Sequence, residues 1–216
     1  MTIEPSDVAA ALDAVRARIA AVASSVAVSI VAVTKGFGPD AVRAAAASGV
    51  ATIGENYAQE LLSKRSAIEE SGLAVHFIGQ LQRNKVRAIA DVVGLWETVD
   101  RAALADELAR RAPGARLLVQ LDASGQPGKG GCPPGDVPAL VEHCRRRDLA
   151  VEGLMTVGPT GASPEQVRPA FRMCRRLADE LGLTTVSMGM SDDFEVAVEE
   201  GSTEVRVGTA LFGRRP

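Results

Sequence analysis

Apolar residues near the start of the chain keep a helical period. Val8, Leu12, Val15, Ile19 and Val22 recur at steps of four and three, which places them on one face of an α-helix. Ser6, after Pro5, is the expected N-cap. The period then changes. Val28-Ser-Ile-Val-Ala-Val33 is a short β-branched run ending at Thr34-Lys35-Gly36, and Pro39 to Ser48 reads as a helix closed by Gly49. The same alternation continues to the end. Further strands are expected near Val50–Gly54, Val75–Gly79, Leu95–Val99, Leu117–Leu121, Val151–Met155, Thr185–Met188 and Glu204–Val207. Helices are expected near Tyr57–Glu70, Asn84–Val93, Arg101–Ala112, Asp136–Arg147, Pro164–Leu181 and Asp192–Glu200, with Gly72, Gly94, Gly182 and Gly201 as stops.

Strands joined by helical crossovers imply parallel pairing, and eight such units in about 180 residues match an α/β fold of the (β/α)8 TIM-barrel type, with the opening helix as an addition. No linker or shift in composition divides the chain, and the low-complexity stretch Gly125–Gly135 falls inside a βα loop. A single domain over 1–216 is expected.

Composition removes several functions. The chain has 216 residues, 46% hydrophobic and 24% charged, enough for a sizeable core in a soluble protein. Aromatics are only 3%, so a ring-stacking platform for single-stranded nucleic acid has no material. Lys and Arg number 24 against 27 Asp and Glu, a net charge of −3, which gives no footprint for a phosphate backbone. Cys132, Cys144 and Cys174 form no C-x-x-C pair, so neither a disulfide framework nor a metal site is indicated. The longest nearly apolar stretch, Ile19 to Val33, is broken by Ser24, Ser25 and Ser29 and falls short of the ~18 residues of a membrane span. Met1-Thr-Ile-Glu-Pro5 lacks the basic and apolar blocks of a signal peptide, so a cytoplasmic location is expected.

In a barrel of this kind chemistry sits at the C-terminal ends of the strands. The residues there are Lys35, then Glu55 and Asn56, then His76, Gly79, Gln80 and Gln82, and late in the chain Ser187 to Asp192 and Arg206 to Thr209. The loops after strands seven and eight are the usual phosphate site of barrels, and Ser191, Gly208 and Thr209 offer backbone N–H groups and hydroxyls there. Read singly, Ser191 is a helix cap and Gly208 a turn. Together, in those two loops, they point to a phosphate-bearing ligand. Lys35 ends an apolar strand; desolvated at the mouth, its amine can attack an aldehyde, whereas on a plain surface it would only snorkel. A lysine opposite a phosphate site points to pyridoxal phosphate. Arg206, inside the last strand, is either a partner for the pyridine nitrogen or one half of a salt bridge to Glu204 or Glu55. His76 is either a core histidine or a lining residue.

Three look-alikes compete. Gly36-Phe-Gly-Pro-Asp-Ala41, with Glu55 further on, imitates a dinucleotide fingerprint, but Pro39 removes an N–H where pyrophosphate would sit and eight βα units exceed a six-stranded Rossmann sheet. Gly128-Lys129 imitates a Walker loop but is followed by Gly130 where Ser or Thr is needed. Arg145-Arg-Arg147 is a solvated helix end.

Gly54-Glu-Asn-Tyr-Ala-Gln-Glu60, His76-Phe-Ile-Gly79 with Leu81-Gln-Arg-Asn-Lys85, Gly153-Leu-Met155, Ser187-Met-Gly-Met-Ser-Asp-Asp193 and Gly201 to Gly213 together resemble the pyridoxal phosphate homeostasis proteins, the YggS/PROSC family. The likeness covers nearly the whole chain. It implies a barrel similar to the N-terminal domain of alanine racemase, with pyridoxal 5'-phosphate held as a Schiff base on Lys35. It further implies Asn56 near the ring, Arg206 at the pyridine nitrogen, and Ser187, Ser191, Gly208 and Thr209 around the phosphate. A carrier or regulator of the cofactor's supply is implied, with no catalytic residues and no established turnover. Apo-enzymes that use the cofactor are the implied partners, and the protein is expected to be a monomer or weak dimer that binds neither nucleic acid nor membrane. The alternative is an amino-acid enzyme of racemase type. Three positions depart from the family pattern: Gln80 where Pro is usual, Thr34 where Ser is common, and Gln126 near a usual Glu.

Overall fold

A computed structural model describes residues 3–23, 27–126 and 130–215. Ser24, Ser25 and the Gly128-Lys129 pair lie outside the described residues. Helix α1 (Pro5–Val22) opens the chain, followed by β1 (Ser29–Val33), α2 (Pro39–Ala47), β2 (Thr52–Glu55), α3 (Ala58–Ser63), α4 (Arg65–Ser71), β3 (Ala74–Phe77), α5 (Arg83–Ile89) and β4 (Leu95–Val99). Then come α6 (Ala102–Arg111), β5 (Arg116–Leu121), α7 (Val137–Arg146), β6 (Ala150–Thr156), α8 (Pro164–Glu180), β7 (Thr185–Ser187), α9 (Phe194–Glu199), β8 (Glu204–Val207) and α10 (Thr209–Phe212). All eight strands run parallel in sequence order. The sheet closes where β1 pairs both β2 (Val31 with Thr52) and β8 (Val31 with Arg206). This is the expected (β/α)8 barrel, and closure disposes of the open dinucleotide-binding sheet.

Alternation along the strands divides the apolar residues into two sets. Ala32, Ile53, Val75, Phe77, Trp96, Val119, Val205 and Val207 pack outward against the helices in one continuous core. Inside the barrel the apolar material is sparse: Leu95, Leu118 and Met155 form a separate small cluster. Much of the remaining interior is buried polar or charged, including Glu97, Ser187, Glu204 and Arg206. Aliphatic layers usually fill such a barrel. Here the charges occupy part of that volume and prepare the site above them.

Four local details differ from the expectation. Helix α1 starts two residues early, at Pro5, with Glu4 as N-cap, because proline's fixed φ suits the first helical turn; Ser6 is within the helix. The long helix expected from Tyr57 breaks at Lys64, whose backbone leaves the helical region (φ −100°, ψ 0°). The helix expected from Asp192 begins at Phe194, behind a turn. An extra short helix, α10, follows β8. Among the described residues no helix is long and apolar enough to cross a membrane.

Candidate functional site

A cavity of about 370 Å³ opens at the C-terminal ends of the strands, within the range of small-molecule sites. Lys35, Asn56, Ser191, Arg206, Gly208 and Thr209 all line it, with Val33, Ile78, Met155, Val157 and Met190 as its apolar walls. Six of the eight expected site residues therefore meet in one place. His76 and Ser187 do not line it; both lie lower in the barrel.

Lys35 stands two residues past the end of β1, in the turn after Thr34, and is half-buried. Its pKa is held below the ordinary lysine value, first by burial, then by the charges of Arg215 and Arg206, against an opposing pull from Glu60. Among the described residues its amine has no hydrogen-bond or ion-pair partner, so the nucleophile is uncommitted. The turn that carries it is held on both sides. Lys64, with its side chain only 1% exposed, donates from Nζ to the Thr34 carbonyl (2.7 Å) and to Glu55 Oε1 (2.7 Å). Thr34 Oγ1 donates to the same Glu55 oxygen (2.5 Å), and Gly36 N donates to Glu60 Oε2 (2.8 Å). Burial raises the Glu55 pKa, opposed by Lys64 and Thr34. Gly36 is required by its backbone: φ is +77°, and a Cβ there would sit 2.6 Å from Arg215 Cδ.

The two late loops meet beside the end of β1, which pairs with β8. The Asp193 carboxylate accepts the Met190 N–H (2.6 Å) and closes the turn before α9, while Ser191 Oγ accepts the Ala210 N–H (3.2 Å) and ties the loop after β7 to the start of α10. Among the described residues the amide N–H groups of Ser191, Gly208 and Thr209 have no acceptor. Arg215, from the end of the chain, lines the same cavity.

Arg206 reaches the cavity from below and is held by the barrel interior. Its Nη1 donates to Ser187 Oγ (2.6 Å) and its Nη2 to the Thr156 carbonyl (2.8 Å). The Ser187 hydroxyl in turn donates to Glu97 Oε2 (2.6 Å), which lies 3.9 Å from Arg206 Nη1. The counter-charge of Arg206 is thus Glu97, rather than Glu204 or Glu55. His76 Nδ1 bridges Glu97 Oε1 (2.8 Å) and Glu204 Oε1 (3.5 Å) beneath it. Burial disfavours the imidazolium, but the two carboxylates outweigh it and lift the His76 pKa to about 9. Burial and the Glu204 charge push Glu97 up, whereas Glu204, although also buried, is held low by His76.

Residues 10–216 match the family described as the alanine racemase N-terminal domain. A pyridoxal phosphate homeostasis protein of Aquifex aeolicus is 43% identical over 188 residues, covering 82% of each chain. The human protein of the same name is 40% identical over 209 residues, covering 86% of this chain and 76% of its own. The chain belongs to the pyridoxal phosphate homeostasis protein family. Among solved structures, PipY of Synechococcus elongatus with PLP bound superposes with a TM-score of 0.85 at 32% identity, covering 95% of this chain and all of PipY.

The residues of this family member fit the cofactor on their own evidence. Asn56 Oδ1 is buried with no hydrogen-bond partner, the Lys35 amine is uncommitted, and unpaired N–H groups face it from the late loops. Sequence reading missed three participants. Arg215 lies beyond the last strand, where no barrel rule looks. Lys64 sits in a helical pattern that gives no hint of a break. Glu97 lies inside β4 rather than at its end, and a lone carboxylate in an apolar run, Leu95-Trp-Glu-Thr-Val99, is the one signal that could have found it.

Proposed function

We propose that this protein is a single cofactor-binding domain that holds pyridoxal 5'-phosphate on Lys35 as a Schiff base and acts in the cytoplasm as a carrier or regulator of that cofactor. The observation that carries the reading is the convergence, in one cavity, of an uncommitted lysine of lowered pKa with the donor-rich loops after β7 and β8. The cofactor's own chemistry is that of an aldehyde and an electron-accepting ring. The chain's part is to supply the amine, grip the phosphate and set the charge beside the ring. Asn56 offers an unsatisfied oxygen to a donor, and its amide can turn to offer N–H instead. Arg206 is assigned to the pyridine nitrogen and Ser191, Gly208 and Thr209 to the phosphate.

A guanidinium carries its charge permanently and opposes protonation of a neighbouring nitrogen, which weakens the ring as an electron sink. Among the described residues that line the cavity the only carboxylate is Asp192, which is exposed. That supports binding over turnover. Apo-enzymes that use the cofactor are the assigned recipients, and the protein acts as a monomer or weak dimer. The test is to reduce the yellow protein with borohydride and map the adduct by mass spectrometry, then to mix the loaded protein with an apo-enzyme and amino acids. The adduct belongs on Lys35, and the apo-enzyme gains activity. Amino-acid turnover near ~10 s⁻¹, the enzyme median, without transfer would overturn the carrier role.

A further inference from the structure

Below the cavity, where the reading above needs nothing, the barrel holds two carboxylates, an imidazole and a guanidinium in contact. We propose that Glu97 and His76 are positioning residues that act through Arg206 on the cofactor ring, forming a charge relay from the barrel floor to the site. This rests on the assignment of Arg206 to the ring.

The contacts run in one line. Among the described residues Arg206 makes two short hydrogen bonds, to Ser187 Oγ and the Thr156 carbonyl, and neither partner is charged. Its buried charge needs an anion, and Glu97 supplies it at 3.9 Å directly and through the Ser187 hydroxyl. Glu97 is itself fully buried and depends on His76 Nδ1 at 2.8 Å for its remaining strong donor. Glu204 completes the set at the same imidazole nitrogen, 3.5 Å from Nδ1, with Ser29 Oγ donating to it at 3.4 Å. These four side chains therefore stand in contact inside the barrel, and a change at His76 or Glu97 alters how firmly Arg206 is held and how much positive potential it presents above.

The same three ligand atoms of His76, Glu97 and Glu204 lie within 4.8 Å of one another, and Glu204 Oε1 accepts no hydrogen bond. A divalent ion would compete for that place. The 2.8 Å separation of His76 from Glu97 favours a proton between them, since two ligands about 2.1 Å from one tetrahedral ion stand roughly 3.4 Å apart.

The experiment measures pyridoxal phosphate affinity and the 15N signal of ring-labelled bound cofactor in the purified protein and in Glu97→Gln, His76→Gln, Arg206→Gln and the Glu97→Gln/Arg206→Gln pair. Glu97→Gln should weaken binding about tenfold and move the ring signal, with His76→Gln following in the same direction by a smaller factor. In the Arg206→Gln background, Glu97→Gln should change affinity less than twofold. Should Glu97→Gln fail to fold, His76→Gln alone and paired with Arg206→Gln makes the same comparison. Equal losses from Glu97→Gln in both backgrounds, or an unmoved ring signal with only a lower melting temperature, overturn the relay alone. Unchanged affinity in Arg206→Gln removes the ring contact and overturns both readings. Zinc retained by the unaltered protein and lost from His76→Gln would make the cluster a metal site and overturn the relay.

Discussion

Lys64 and Lys35 show how little a residue's type says about its use. Both are lysines near the barrel mouth, yet among the described residues the one past a strand end has no partner, and the one at the break between α3 and α4 is committed to Thr34, Glu55 and, at 3.6 Å, Glu60. A lysine that is 1% exposed is tolerated because its charge is met by carboxylates and its protons by acceptors. Removing one side of that pair leaves the other buried and unmatched. Lys64→Met should therefore lower stability by about 3–5 kcal/mol in chemical denaturation, and the double variant with Glu55→Gln should recover much of the loss. A cost below ~1 kcal/mol would mean the pair is open to solvent. Lys35→Ala, by contrast, should remove the visible absorbance of the bound cofactor while leaving the melting temperature within a few degrees, because its amine holds nothing else in place. Lys35 was legible in the sequence from its place after a β-branched run; Lys64 was not, since helical periodicity records which face is apolar and not where a side chain turns inward.

At the scale of elements the reading was good where the period was long or the loop rule strong. All eight strands and the helical crossovers were visible, because a parallel strand buried on both faces writes a continuous apolar run and each helix ends at a glycine or polar turn. The ends shifted by one to four residues, the helix after β3 stopping at Ile89 rather than Val93, and the Asp192–Glu200 helix begins at Phe194, after a turn that the Asp193 carboxylate closes by accepting the Met190 N–H. Among the described residues the N–H groups of Ser191, Gly208 and Thr209 have no acceptor, so the phosphate, rather than the ring, should carry much of the affinity. Pyridoxal lacking its phosphate is expected to bind at least a hundredfold more weakly in a calorimetric titration; similar affinities would reduce these loops to caps and turns. The strand β3 exit is equally constrained. A Cβ at Gly79 would stand 1.8 Å from the Asn56 carbonyl oxygen, so Gly79→Ala must push β2 and β3 exits apart. Loss of both stability and cofactor binding is expected there, and a variant with native affinity would show that Asn56 tolerates displacement.

Over the whole molecule the outer shell and the barrel interior answer to different requirements. The shell was legible because hydrophobic burial is non-directional and leaves a periodic trace, whereas the interior charges had no trace beyond single residues in apolar runs. Their consequence is a pH dependence of stability. His76 has a folded pKa of about 9 against 6.5 when unfolded, so the native state binds its proton more tightly. The stabilisation is complete below pH 6.5, falls as pH rises from there, and is gone above about 9. A difference of that size corresponds to roughly 3 kcal/mol as an upper figure. His76→Gln removes the titrating group, so the gap in unfolding free energy between the unaltered protein and the variant should be widest near pH 6 and close by pH 10. A gap that stays constant across that range, or widens on the alkaline side, would show that His76 is neutral in the folded barrel, with Glu97 and Glu204 sharing a proton instead.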